Sequence, residues 1–230
     1  MIVVQNRELV LPGQLLAEGN YRFMEGTFRE GDKIYSAVVG LADVRDDKVK
    51  VIPLQGRYMP SEGDIVIGVV IDSYLSGWIL DINSPYTGNL YVSDLLNRKV
   101  DLDREDIRQY LKIGDVIVAM VKEVNESMRV SLAAGDRGLG RVKGGKIMEI
   151  SAAKIPRVLG RKGSMVKILQ ENTGCRLTVG QNGRIIIWGD DSRKVNLAVE
   201  AILMIEREAH TTGLTDRVRL MLEKEKLGGS

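Results

Sequence analysis

The stretch Lys154-Ile155-Pro156-Arg157-Val158-Leu159-Gly160-Arg161-Lys162-Gly163-Ser164-Met165-Val166-Lys167-Ile168-Leu169 decides how the chain is read. Gly160 and Gly163 hold Arg161 and Lys162 between them, and apolar residues recur at helical spacing on both sides. The pattern predicts two short helices joined by a tight basic loop. Glycine lets the backbone approach a phosphate without a Cβ in the way, and the second helix opens there with unpaired N–H groups and a positive dipole end. Arg161 and Lys162 add formal charge where the amides already point, with Arg157 and Lys167 flanking them.

A Gly-x-x-Gly loop alone would also suit a plain helix-turn-helix scaffold, so the flanks must decide. Upstream, Lys146-Ile147-Met148-Glu149-Ile150 alternates like a strand, and Pro156 sits where a first helical turn tolerates proline. Downstream, Cys175–Val179 and Arg184–Trp188 read as two strands around the turn Gly180-Gln181-Asn182-Gly183. Asp191 or Ser192 then caps a long helix carrying Val195, Ala198, Val199, Ile202 and Ile205 on one face. Strand, helix, GxxG, helix, strand, strand, helix over 146–212 resembles a type I KH domain, whose loop clamps about four nucleotides of single-stranded RNA.

Residues 1–60 read as a small β module, with short strands at Ile34–Gly40 and Val49–Ile52 and an Asp46-Asp47 turn. It holds no His, no Cys and no phosphate loop, which suggests docking or scaffolding. Residues 61–134 supply five strand-like runs: Gly63–Val70, Trp78–Ile82, Gly88–Val92, Val116–Val121 and Arg129–Leu132, with a polar insert before the fourth. That spacing suits a Greek-key barrel. Gly63-Asp64, Gly88 with Leu90, Ser93-Asp94-Leu95, Gly114-Asp115 and Ser131-Leu132 resemble the landmarks of the S1 RNA-binding domain, an OB-fold. Trp78 and Tyr91 stand where that family often has a phenylalanine and a histidine. Either ring can stack on a base or belong to the core. In the insert, Arg98 and Lys99 could reach a phosphate, whereas Asp101, Asp103, Glu105 and Asp106 lack the spacing of a calcium loop. Lys122 and Arg129 are further candidate RNA contacts. Residues 135–145, glycine-rich and basic, read as a flexible hinge, and 213–230 as a last amphipathic helix that serves packing.

At 230 residues the chain is long enough for two or three small domains. A net charge of +2 says little, but from Arg137 to Lys167 only Glu149 opposes the basic residues. Cys175 is alone, which excludes an intrachain disulfide framework. No long apolar run or signal-like leader is visible, so an intracellular, cytoplasmic protein with no membrane partner is expected. No serine elbow, Walker loop or zinc-binding pair appears, the single histidine is His210, and Asp64, Asp81 and Asp94 have no evident reason to converge. The expectation is a binding protein and not an enzyme, with no cofactor and no metal.

The fold class expected is multidomain, mainly β with an α+β C-terminal domain: a small N-terminal β module, an S1-type OB barrel, then a type I KH unit. That order, with Arg57-Tyr58-Met59-Pro60 before Gly63-Asp64, resembles the RNA-binding cap subunits of the archaeal exosome. The resemblance implies a trimeric cap on a hexameric RNase PH-type ring, sharing that ring with other cap subunits. It implies recruitment of single-stranded RNA, including adenine-rich 3′ tails, for phosphate-dependent 3′ to 5′ degradation and tailing. The alternatives are a free S1/KH protein acting in translation or RNA chaperoning, and a stand-alone nuclease.

Overall fold

The computed structural model describes residues 1–53, 56–101, 104–211 and 213–228, with side chains as far as 224. Asp103, and the side chain of Lys226 in the last helix, lie outside the described residues. The chain forms two units, Met1–Gly56 and a second that starts at Arg57.

In the first unit, β1 (Leu9–Val10), β2 (Leu15–Glu18), β3 (Arg22–Phe23), β4 (Thr27–Glu30), β5 (Lys33–Ser36), β6 (Gly40–Arg45) and β7 (Lys48–Pro53) build two sheets, ordered β1-β6-β7-β3 and β2-β5-β4. Val10, Leu16, Ala17, Ile34, Ala42, Val49 and Val51 fill the space between them. The run Ile34–Gly40, expected as one strand, is divided: β5 and β6 belong to different sheets. The Ser36 hydroxyl donates to the Val38 carbonyl at 2.6 Å, and this local bond turns the chain between them.

The second unit begins with a closed barrel of β8 (Ile65–Tyr74), β9 (Gly77–Asp81), β10 (Thr87–Tyr91), β11 (Val116–Val124) and β12 (Val130–Ala133), with helix α1 (Val92–Leu96) after β10. The strands neighbour one another in the order β12-β10-β9-β8-β11, and a β11–β12 pairing completes the ring. Period-2 alternation sends Val66, Val70, Leu80, Leu90, Val121 and Leu132 inward. The glycine-rich segment expected as a free hinge is instead tied to the barrel. Its strand β13 (Gly140–Arg141) pairs with Ile117 and Val118 of β11, and Arg141 bonds Asp115 at 2.7 Å.

The KH unit follows as β14 (Lys146–Glu149), α2 (Ile155–Leu159), α3 (Ser164–Thr173), β15 (Arg176–Val179), β16 (Arg184–Trp188) and α4 (Ser192–Arg207). Its sheet order is β14-β16-β15. Ile155, Val158, Leu169, Ile185, Ile187, Ala198, Ile202 and Ile205 form its core. The Asp191 carboxylate caps α4 by accepting from the Arg193 N–H at 2.8 Å. Helix α5 (Leu214–Gly228) buries Leu214, Val218 and Leu222 in the same core, so it is tertiary packing. Among the described residues no helix is long and apolar enough to cross a membrane.

The turn between β15 and β16 is driven into the barrel. Gln181 and Ile65 exchange two hydrogen bonds, Ile65 N–H to the Gln181 side chain at 2.9 Å and Gln181 N–H to the Ile65 carbonyl at 2.8 Å. Asn182 is wholly buried; it accepts from the Ile67 N–H at 3.2 Å and donates to the Ile67 and Ile82 carbonyls at 2.8 and 2.9 Å. Arg184, only 6% exposed, reaches the Asp81 carbonyl at 2.7 Å, the Asp81 carboxylate at 2.6 Å and Glu149 at 2.7 Å. Ile67, Val118 and Ile186 close an apolar contact beside this network.

Candidate nucleic-acid interface

The basic loop has the backbone its glycines predict. Gly160 lies at φ +71°, ψ 176°, a region essentially closed to any residue with a side chain, and Gly163 lies in the left-handed region at φ +77°. A Cβ on Gly160 would stand 2.7 Å from the Met165 nitrogen, whereas one on Gly163 would meet nothing within 4 Å. Lys162 is itself left-handed, at φ 51° and ψ 35°, which tightens the turn into α3. Arg157, Arg161 and Lys162 are exposed, and among the described residues none of them is held in an ion pair. Lys167, one turn into α3, stands 3.7 Å from Glu171 in an exposed pair that costs it little freedom. Four cations thus surround a loop that only glycine could close so tightly.

On the barrel, strand pairing settles the two candidate rings. Gly77 pairs with both Tyr74 and Tyr91, while Trp78 pairs with Leu90. Trp78 therefore points inward, is 0% exposed in the barrel core, and offers no face to a base. Its expected stacking role is corrected: the ring is core because it stands one residue out of phase with Tyr91 across the pleat. Tyr91 is 43% exposed and meets Tyr74 edge to face at 6.2 Å. The two rings approach over Gly77, where a Cβ would lie 2.3 Å from the Leu90 oxygen and 3.0 Å from the Tyr74 hydroxyl. Burial and the neighbouring Tyr91 push the Tyr74 phenol up to about 12, so it stays a neutral donor. Leu75 is 79% exposed next to this pair, and a cleft of about 390 Å³ lined by Ser73, Tyr74, Leu75, Glu105, Asp106, Ile107 and Arg108 opens beside it.

The other candidate cations divide. Lys99 and Arg129 are exposed. Lys122 is exposed on β11 but stands 2.7 Å from Asp94, whose carboxylate holds the ammonium above its usual pKa. Arg98 forks onto Glu105 at 2.9 and 2.7 Å and touches the Tyr110 hydroxyl at 3.2 Å. That hydrogen-bonded fork, with Tyr110, takes the Glu105 carboxyl down to about 2, and Arg98 serves to hold the insert together. The three separate aspartates each have their own partner: Asp64 accepts from Tyr58, Asp81 from Arg184, Asp94 from Lys122. Among the described residues no three His, Cys, Asp or Glu side chains gather as a metal site.

Tyr74, Asn182 and Arg184 escaped the sequence reading. Tyr74 had a usable signal, since it stands three residues before Gly77 at the end of an apolar, β-branched run. Asn182 and Arg184 had none, because a turn asparagine and a strand arginine look ordinary until their partners on the barrel, more than ninety positions away, are known.

Three family models match the chain in tandem: the N-terminal domain of the exosome RNA-binding protein RRP4 at residues 7–55, the RRP4 S1 domain at 57–123, and a KH domain at 145–204. Exosome complex component Rrp4 of Pyrococcus abyssi is 47% identical over 225 residues, covering 96% of this chain and 84% of that protein. Its counterpart in Methanopyrus kandleri is 43% identical over 230 residues, covering 97% and 96%. A crystal structure of a protein assigned as an exosome complex RNA-binding protein superposes with a TM-score of 0.70 at 41% identity, covering 76% of this chain and all of that one.

Proposed function

The chain belongs to the Rrp4 family of exosome RNA-binding components, and from that premise we propose that it is a non-catalytic cap on an RNase PH-type hexameric ring, three copies to a ring, working in the cytoplasm. It recruits single-stranded RNA, adenine-rich 3′ tails among it, to a ring that performs phosphate-dependent 3′ to 5′ degradation and tailing. Other cap subunits share the ring. The observation that carries the reading is the GxxG loop: Gly160 and Gly163 at positive φ, with Arg157, Arg161 and Lys162 exposed and outside any ion pair among the described residues.

The RNA contacts of this reading are Gly160, Arg161, Lys162 and Gly163 with Arg157 and Lys167 on the KH unit, and Tyr91, Tyr74, Lys99, Lys122 and Arg129 on the barrel. Backbone amides and cations hold phosphates, and the exposed Tyr91 ring, beside the half-buried Tyr74, takes bases. Both modes tolerate sequence, which suits a recruiter of many RNAs. Several weak sites around one pore raise the local RNA concentration without new contacts.

The test is to mix the purified chain with a reconstituted RNase PH-type ring and follow both mass and phosphate-dependent decay of an adenine-tailed RNA. A mass gain of three chains with faster decay is expected. No association would discard the cap reading and leave a free RNA-binding protein. Gly160→Asp with Gly163→Asp should weaken RNA affinity and flatten its salt dependence while leaving ring assembly unchanged.

A further inference from the structure

The basic run of the sequence begins well before the GxxG loop, and its first members are not used by that loop. Lys143 precedes β14, Lys146 opens it, and a further cation, Arg176, opens β15. Period 2 sorts β16: Ile185 and Ile187 enter the core under the helices, while Ile186 and Trp188 turn to the other face of the sheet. Arg176 pairs directly with Trp188 across β15 and β16, and its guanidinium lies over the indole, 4.2 Å from the ring centre. The indole N–H donates to the Lys143 carbonyl at 3.1 Å. Gly145, at φ +91°, passes the ring so closely that a Cβ there would lie 2.8 Å from the indole nitrogen. Trp188 is thus fixed by a strand, a turn and a cation, and is still only half-buried.

A cleft of about 510 Å³ opens beside the ring, lined by Gly145, Lys146, Ile187–Asp190 and, from the start of α4, Ser192, Val195 and Asn196. Lys143, Lys146, Arg176, Arg193 and Lys194 are exposed on these same segments or beside the ring, and among the described residues none of them is held in an ion pair. Lys146 reaches the neutral Asn196 oxygen at 3.2 Å. Asp190 and Asp191 oppose these cations, and Asp191 is turned to the Arg193 N–H as the cap of α4. An excess of unneutralised cations around a fixed, partly exposed ring fits a polyanion whose units carry flat faces. An acidic protein segment would answer the charge and leave the stacked guanidinium and indole without a use.

We propose that Trp188 and Arg176, with Lys143 and Lys146, form a further contact for single-stranded RNA on the KH unit, built on other elements than the GxxG loop. A base stacks on the indole–guanidinium pair, and the two lysines hold adjoining phosphates. The proposal rests on the RNA-binding reading above and lengthens the path of the strand over the KH unit. Charge alone does not suffice at Arg176, because lysine would keep the charge and lose the plane.

The experiment measures fluorescence anisotropy of the full chain with a labelled oligoadenylate of about 20 nucleotides, longer than any single OB-fold site, across a salt series. Lys143→Gln with Lys146→Gln should flatten the slope of log affinity against log salt by about 1.4, the value of two phosphate contacts on a single strand. The same change at Lys33 and Lys48, exposed lysines of the first unit, should leave the slope unaltered. Arg176→Lys should lower affinity about fivefold or more at an unchanged slope. The two tryptophans supply an independent signal. Trp78 is sealed in the barrel core, so quenching of the emission by RNA reports Trp188, and Trp188→Phe should abolish it. Equal flattening by the Lys33 and Lys48 changes would show diffuse attraction only, and overturns the proposal. So would emission unchanged at saturating RNA, or Arg176→Lys binding as tightly as the unaltered chain; the face would then be left to an acidic protein segment. An unaltered chain that binds no oligoadenylate would instead refute the RNA-binding reading itself.

Discussion

Gly160 and Gly163 look equivalent in the sequence and are not equivalent in space. Alanine at Gly163 meets no neighbour and carries only the left-handed backbone cost of about 1 to 2 kcal/mol. Alanine at Gly160 brings its Cβ to 2.7 Å from a backbone nitrogen, so the start of α3 must move. Gly163→Ala is therefore expected to lower the urea midpoint slightly and keep most RNA affinity, and Gly160→Ala to lose more of both; equal losses in the two would show that backbone strain alone governs the loop. The aromatic pair gives the complementary case. Tyr91→Ala should leave thermal stability nearly intact and weaken oligoadenylate binding by about 1 to 3 kcal/mol, whereas Trp78→Ala should cost about 3 to 5 kcal/mol of stability, read from urea melts beside the binding curves. The sequence made the loop legible because glycine, charge and helical spacing all act locally. It left Trp78 and Tyr91 undecided because the face of a strand depends on register, and register depends on the neighbouring strands.

Among the elements, the five barrel strands and the KH order were readable from alternation and turn residues, since each strand carries its own period. The β15–β16 turn shows what such reading omits. Gly180-Gln181-Asn182-Gly183 announces a hairpin correctly, yet gives no hint that its asparagine is consumed by another module. Arg184 is likewise an ordinary strand residue until Asp81 is placed beside it. The pair has a pH signature. Burial pushes the Asp81 carboxyl upward, but the Arg184 guanidinium, the Asn83 N–H and the arginine's charge together outweigh it and hold the pKa below its ordinary 3.8. A depressed folded value means that the contribution is complete above the unfolded pKa and is lost as pH falls through the folded one. The urea midpoint of the unaltered chain should exceed that of Asp81→Asn by a constant margin from neutrality down to about pH 5, and the margin should shrink in stronger acid. A margin that grew on acidification would show that the carboxyl is destabilised in the fold.

At the scale of the whole molecule, the first unit carries apolar surface that its own core does not use. Phe23, Met24 and Phe28 are exposed around one tight turn, in which Thr27 N–H donates to the Met24 carbonyl. Arg29 lies 6.0 Å from the Phe23 ring, and Phe28 stacks on Tyr35 at 5.5 Å, so the rings are held in place although water reaches them. Clustered exposed rings of this kind mark protein contacts more often than solvent faces. In the cap reading the ring supplies the missing cover, while the RNA contacts all belong to the second unit. The two functions are then separable by substitution. Phe23→Ser with Phe28→Ser should reduce association with the RNase PH-type ring at least tenfold, because aromatic anchors dominate interface energies, and should leave the affinity of the free chain for oligoadenylate unchanged. Sedimentation of the mixture and anisotropy of the free chain measure the two quantities. Undiminished association would move the docking surface away from this turn, and lost RNA affinity with intact docking would reverse the division of labour between the units.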